Sequence, residues 1–383
     1  MIKNEAFGDM AILDTAGDNV VLFHPHIPKK AMEYVADTLN SRWIGQGPKV
    51  DKFEREFSKI VGPSHTSIAV GSGTDSLHLA YILAGLQPGD EVIAPVFTCT
   101  ATNIPFLYMG VKVIFADVQK GTLNIDPVHV RKLVNKKTKA IVCVHYGGLP
   151  CDMNELQSIA SEFGIPIVED AAHALGATYQ GRKIGEISEF TMFSFQAIKH
   201  ITTGDGGMLT IKDNSLLEKA LRVRWFGIDR SAKQMGIWEN DIKEVGYKYQ
   251  MTDICASMGL AALEELAEIL AIRRNLFHRY EELLTGLSGI NFVGGSYKDR
   301  EHAAWLCTII VEIRTDLQAK LREKNIESGQ VHFRNDRYSI FGGRSDNFPN
   351  MDEIEHKYLV LPLHTKMTIK DVDRICNILK EGW

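Results

Sequence analysis

From residue 64 to residue 211 the chain repeats one pattern: a short run that is mostly apolar, then a longer stretch with apolar residues at helical spacing. The runs are SHTSIAV (64–70), EVIAPVF (91–97), VKVIFADV (111–118), KAIVCVHY (139–146), IPIVED (165–170), FTMFSF (190–195) and MLTI (208–211). A strand with one wet face alternates polar and apolar side chains. These runs do not alternate, so both of their faces must be covered, which predicts an α/β fold: a mainly parallel sheet with helices on both sides. Such sheets bind ligands beyond the carboxyl ends of their strands. Residues 71–76, 97–100, 145–147, 169–173 and 194–199 fall at or just after those ends, so distant stretches of chain are expected to meet at one place.

Several residues in those stretches carry chemistry. The first run leads into GSGTDS, where Gly71 and Gly73 uncover the backbone amides as a helix begins. Unpaired N–H groups and the positive end of a helix dipole suit a phosphate, although Thr and Asp at such a position are also ordinary caps. Asp170 closes a strand, either as a helix cap or as a buried carboxylate that holds the proton of a pyridine nitrogen. His173, three residues on, is placed to lie over such a ring or to bond its phenolic oxygen, while a lone histidine is more often structural. Lys199 sits in a loop between an apolar strand and the glycines at 204, 206 and 207. Among apolar neighbours its ammonium loses solvation, its pKa falls, and the amine becomes able to attack a carbonyl, as a Schiff-base lysine must; this stretch alone also suits a surface lysine.

Around this centre, helices are expected at 27–38, begun by Pro28, and at 52–61, with the shaped loop SRWIGQGPKV (41–50) between them. Further helices are expected at 100–109, 127–133, 152–163 and 215–224, with a hairpin at 181–185. The stretch 245–287 reads as one long helix with a break near Gly259, and its early aromatic part is expected to lie under a partner subunit. From about 291 the pattern becomes that of a smaller α+β unit: a strand at 304–313, a helix at 315–324, the segment 331–343, and a last helix at 369–380 capped by Thr368. Two domains result, 1–270 and 271–383, joined rigidly because the boundary falls inside a helix. With 383 residues, 45% of them hydrophobic, both can bury a core without disulfide or metal. The six scattered cysteines form no CxxC pair and read as buried thiols in a reducing compartment. A net charge of −5 with dispersed basic residues speaks against nucleic acid as a partner, and no apolar run is long enough for a membrane span. The opening MIKNEAFGDMAILD carries acids where a signal peptide needs a basic and then an apolar region, so a cytoplasmic protein is expected.

Taken in order, GSGTDSLHLA, VHYGGLPCDM, VEDAAHALGA, FSFQAIK with TTGDGGML, and GYKYQMTD resemble the DegT/DnrJ/EryC1/StrS family, the pyridoxal-phosphate (PLP) sugar aminotransferases of fold type I. The resemblance runs from WIGQGPKV to the final helix. It implies a sheet of the seven-stranded type, PLP as cofactor, and a homodimer with shared active sites. By it Lys199 forms the Schiff base, Asp170 pairs with the pyridinium nitrogen and His173 packs on the ring. Gly73, Thr74 and Ser194 bind the cofactor phosphate, with Asp75 beside them. Lys248, in GYKYQM, stands where many members have asparagine and reaches the other subunit's phosphate; lysine keeps a donor and adds a charge. Cys99, in FTCTAT, stands where many relatives have an aromatic that stacks on the ring, so either Phe97 takes that role or the stack is looser.

The implied reaction moves an amino group from L-glutamate to a nucleotide-linked keto-deoxy sugar, and a lysine rather than a histidine at 199 argues against the dehydratase branch. A 4-keto-6-deoxy sugar of the perosamine or viosamine kind is the expected acceptor, with a 3-keto sugar as the alternative. Trp43, Arg334 and Arg337 are the candidates for holding it, the plain reading of the arginines being surface charge. A catalytically inactive regulatory protein of this fold is expected to lack Lys199 or Asp170, and both are present. A nicotinamide-binding sheet needs GxGxxG, and GSGTDS lacks the third glycine.

Overall fold

The computed structural model describes residues 13–239 and 241–383, so the first twelve residues of the acid-bearing opening lie outside the described residues. Seven strands build the central sheet: β1 (Thr66–Val70), β2 (Glu91–Pro95), β3 (Lys112–Ala116), β4 (Thr138–Val144), β5 (Ile167–Asp170), β6 (Phe190–Ser194) and β7 (Gly207–Ile211). Their order across the sheet is β1-β7-β6-β5-β4-β2-β3. β2 to β6 pair in parallel, and β7 runs antiparallel to both of its neighbours. The reversal has a local cause. A parallel return needs a crossover, usually a helix, and the loop from 195 to 206 holds none. It therefore turns back at the carboxyl end of β6 and leaves Lys199 there. Register then aligns three chain segments, because Gly207 at the start of β7 lies opposite Val70 of β1 on one side and Ser194 of β6 on the other.

Helices cover both faces of the sheet, as its mostly buried strands require, with one core on each side. Phe53, Phe57, Phe193 and Phe195 anchor one, and Leu77, Tyr81, Phe106 and Leu209 anchor the other. The long helix Asp253–Leu284 runs unbroken for 32 residues, contrary to the break expected near Gly259. A Cβ at Gly259 would stand 2.6 Å from the Phe53 ring, so this glycine serves close packing and does not end the helix. The first helix begins at Ala31, not residue 27, because the Pro28 carbonyl takes the Ala31 N–H at 3.0 Å in a preceding turn. The second begins at Pro48, a residue suited to the first helical position, so part of the expected 41–50 loop is helical.

The smaller unit is a sheet of β8 (Ile290–Phe292), β9 (Cys307–Val311) and β10 (Tyr358–Leu361) in antiparallel order. It is backed by Arg314–Glu323 and by Ile369–Lys380, whose start Thr368 and Asp371 cap reciprocally. Leu276, Phe277, Tyr280 and Leu284, from the end of the long helix, enter its core. So does Val20, whose N–H donates to the Asn325 carbonyl at 2.9 Å. We therefore propose one amendment to a division at residue 270: the stretch around Val20 belongs with the smaller unit. β9 is shorter than the strand expected at 304–313, because Ala304 takes a left-handed φ of +56° and bends the chain before it.

Candidate active site

At the carboxyl end of β1 the helix Gly73–Leu83 begins, with the Ser72 hydroxyl capping the Asp75 N–H at 3.0 Å. The amides of Gly73 and Thr74 precede that bond, and first-turn amides have no partner inside their own helix. A Cβ on Gly73 would stand 3.1 Å from Ser194 Cβ and 3.2 Å from its Oγ, so the helix start and the Ser194 hydroxyl face each other across a gap that only glycine leaves open. At Gly207 a Cβ would collide with the Ser72 carbonyl oxygen at 2.3 Å, which explains the glycine there. Asp75 turns toward Gly71, and burial pushes its carboxyl up to about 6 against the pull of its Ser72 hydrogen bonds.

Asp170 is buried at the end of β5. Its Oδ2 accepts from Thr102 Oγ1 at 2.7 Å and its Oδ1 from the Ala172 N–H at 3.1 Å, while Thr98 and Thr102 share a hydroxyl bond of 2.9 Å. Burial raises its pKa, and the Thr102 and Ala172 bonds and the charge of Lys199 oppose the rise. His173 is buried too. Its Nε2 faces His332 Nε2 at 3.3 Å, and its Nδ1 has no partner among the described residues. Burial first, then the charge of Lys199, holds the ring well below 6.5, so it is neutral at pH 7. Burial also pushes the half-buried Lys199 down to about 8, against the fields of Asp170 and Cys99.

These groups fit PLP. A buried imidazole nitrogen without a partner suits a phenolic oxygen, a fixed carboxylate suits a pyridinium nitrogen, and an amine of lowered pKa suits a carbonyl carbon. The gap between Gly73 and Ser194 suits a phosphate at a helix N-terminus.

The other residues singled out in the sequence divide. Phe97 is buried against Tyr146 and Tyr358, with ring centroids at 5.3 Å and 5.0 Å, so it belongs to the core beneath the site. Cys99 is exposed at the site, close enough for its charge to act on Lys199. Lys248 is exposed, its Nζ 5.2 Å from the Phe226 ring, on a segment whose Tyr249 carbonyl accepts the Gly71 N–H at 2.6 Å. Trp43 lies on an exposed loop beside Arg42, anchored through Gly47, whose N–H donates to Asp253 at 2.8 Å. Arg337 is exposed and covers the Phe333 ring at 4.7 Å.

Arg334 corrects the expectation. Its side chain is fully buried, forked on Asp336 at 2.6 Å and 2.7 Å and paired with Asp352 and Glu355, so its donors are spent inside the protein.

Sequence reasoning missed Thr102, His332, Arg273 and Trp305. Thr102 is a helix residue without distinctive spacing. Trp305 carried a signal, a lone indole where the apolar run at 304–313 begins. The Lys199 Nζ lies 3.7 Å from its ring centroid, and His173 stacks on it at 3.8 Å.

A family model described as the DegT/DnrJ/EryC1/StrS aminotransferase family matches residues 25–380. The chain is 32% identical to the UDP-4-amino-4-deoxy-L-arabinose–oxoglutarate aminotransferase of Shewanella sediminis, over 94% of this chain and 97% of that one. It is 31% identical to the GDP-perosamine synthase of Escherichia coli O157:H7, over 94% and 98%. Among solved structures it is similar to the PMP and PLP forms of Spr1654 from Streptococcus pneumoniae, named as a sugar aminotransferase. Their TM-scores are 0.89 and 0.88 at 31% and 30% identity, each match covering 95% of this chain and 98% of that one.

Proposed function

The chain belongs to the DegT/DnrJ/EryC1/StrS aminotransferase family and is a PLP-dependent transaminase of fold type I, and from that premise we propose that it aminates a nucleotide-linked 4-keto-6-deoxy sugar with L-glutamate as donor. The observation that carries the reading is the meeting of Asp170, His173 and Lys199 beside the gap between Gly73 and Ser194. The relatives named for UDP-4-amino-4-deoxy-L-arabinose and GDP-perosamine support a nucleotide sugar as acceptor. The first also supports amination at carbon 4 and the glutamate/oxoglutarate couple.

When bound, PLP supplies an electron-withdrawing ring that lets a proton leave the carbon bearing the amine. This chain's residues do the rest. The amides of Gly73 and Thr74 and the Ser194 hydroxyl would hold the phosphate. Asp170, fixed by Thr102 and Ala172, would keep the ring nitrogen protonated, and the neutral His173 would have Nδ1 available for the phenolic oxygen. Lys199, with its pKa pushed down to about 8, would be the amine that holds the cofactor's carbonyl carbon and, when free, the base that would carry the proton. Cys99 lines the open side. Trp43 and Arg337, both exposed, are the contacts proposed for the nucleotide sugar.

Met235, Trp238 and Val245 are exposed apolar side chains on the segment before Lys248, which supports a second copy of the chain covering them and receiving Lys248 at its phosphate. The test of the activity is incubation with glutamate and a panel of nucleotide-linked 4-keto and 3-keto sugars, with 2-oxoglutarate followed and the product identified by NMR. Turnover of a 4-keto sugar is expected; turnover of 3-keto sugars only contradicts the reading.

A further inference from the structure

Trp305 is held more firmly than packing requires. The residue before it, Ala304, keeps a φ of +56°, a left-handed conformation unfavourable to any side chain, and such strain persists only where its surroundings enforce it. Here they do. The buried Arg273 guanidinium donates to the carbonyls of Ala304 at 2.9 Å, Trp305 at 2.9 Å and Leu363 at 2.8 Å. The Gly147 carbonyl accepts the N–H groups of Trp305 at 2.8 Å and Leu306 at 3.0 Å. So placed, the indole makes two contacts with the Lys199 loop. Its Nε1–H donates to the carbonyl of Ile198 at 2.9 Å, and its ring centroid lies 3.7 Å from the Lys199 Nζ.

We propose that Trp305 is a positioning residue for Lys199: its N–H fixes the loop one residue before the lysine, and its ring face holds the amine in the site. An aromatic face attracts an ammonium, the more so when water is excluded. It takes no hydrogen bond from the amine, so the lysine leaves it for a carbonyl carbon without breaking one. The other charged or titratable groups that act on the amine are Asp170 and Cys99, which favour its charge, and Arg273, which opposes it; His173 and His332 are held neutral by burial. The inference rests on the reading of Lys199 as the reactive amine, and its test needs no turnover.

The probe is trace acetic anhydride on protein freed of cofactor, with Lys199 acetylation quantified by mass spectrometry from pH 6 to pH 11. Trp305→Leu removes the aromatic face and leaves an apolar side chain in its place; it is expected to lower the labelling midpoint by about 0.4–1.5 pH units. Trp305→Phe keeps a face and is expected to stay near the wild-type midpoint, while loss of the N–H speeds amide hydrogen exchange in the 196–203 peptide. Fluorinated tryptophan in the wild-type sequence keeps shape and N–H and weakens the ring's attraction, so it lowers the midpoint even if Trp305→Leu fails to fold. A midpoint unmoved by fluorination or by Trp305→Leu overturns the proposal, as does a fall in Trp305→Phe equal to that in Trp305→Leu, or unchanged exchange in Trp305→Phe. Failure of the sugar panel with these labelling results intact would remove the proposed substrate and leave this inference standing.

Discussion

Arg334→Met separates a structural cation from a substrate contact. The guanidinium is fully buried and forked on Asp336, whose side chain is only 2% exposed. Removing the cation leaves that carboxylate with the Ser345 N–H at 3.0 Å and no other paired cation among the described residues. Asp352 and Glu355 lose less, since both are partly exposed and keep Arg344, at 3.3 Å and 2.7 Å. Breaking a buried pair by deleting one partner costs about 3–5 kcal/mol. With an unfolding entropy of about 2.1 cal/mol/K per residue, a chain of 383 residues should then melt about 4–6 °C lower. Arg334→Met with Asp336→Asn, which removes both charges, should regain most of that loss. Calorimetry reads the stability, and the KM for the nucleotide sugar, measured well below the melting range, should change by less than about twofold, well under 1.4 kcal/mol of lost binding. An unchanged melting temperature together with a KM raised tenfold would refute the reasoning and return Arg334 to the substrate.

Gly73→Ala places a methyl 3.1 Å from Ser194 Cβ, so fluorescence titration with PLP should show affinity weaker by about tenfold, roughly 1.4 kcal/mol; unchanged affinity counts against a phosphate between Gly73 and Ser194. If a second copy completes each site, mixing Lys199→Ala and Lys248→Ala subunits should restore activity at one site of each mixed dimer, whereas absence of any recovery argues that Lys248 acts within its own subunit.

Much of the architecture was legible because burial on both faces leaves a clear record: the inner strands of the central sheet are mostly apolar runs, and only the edge strand β3 is largely half-buried. The last helix was equally plain, since Thr368 and Asp371 form a reciprocal cap read directly from spacing. The meeting of residues 71–76, 169–173 and 194–199 followed from the rule about strand ends. What stayed hidden depended on surroundings that an element's own residues do not record. The direction of β7 is set by the loop before it and not by its own residues. Gly259 looks like a helix breaker until Phe53 is seen against it. Arg334 reads as a surface charge because Asp352 and Glu355 lie a helix away, and Trp305 gains its place from the bend at Ala304 and the reach of Arg273, neither of which has a composition signal.

The central claim is that Lys199 is the amine that bonds the cofactor. Borohydride reduction of the holoenzyme, followed by peptide mapping, tests it most directly. The account predicts a pyridoxyl group fixed on Lys199 and none fixed in Lys199→Ala; a label on another lysine, or a Lys199→Ala protein labelled as fully as wild type, would contradict it.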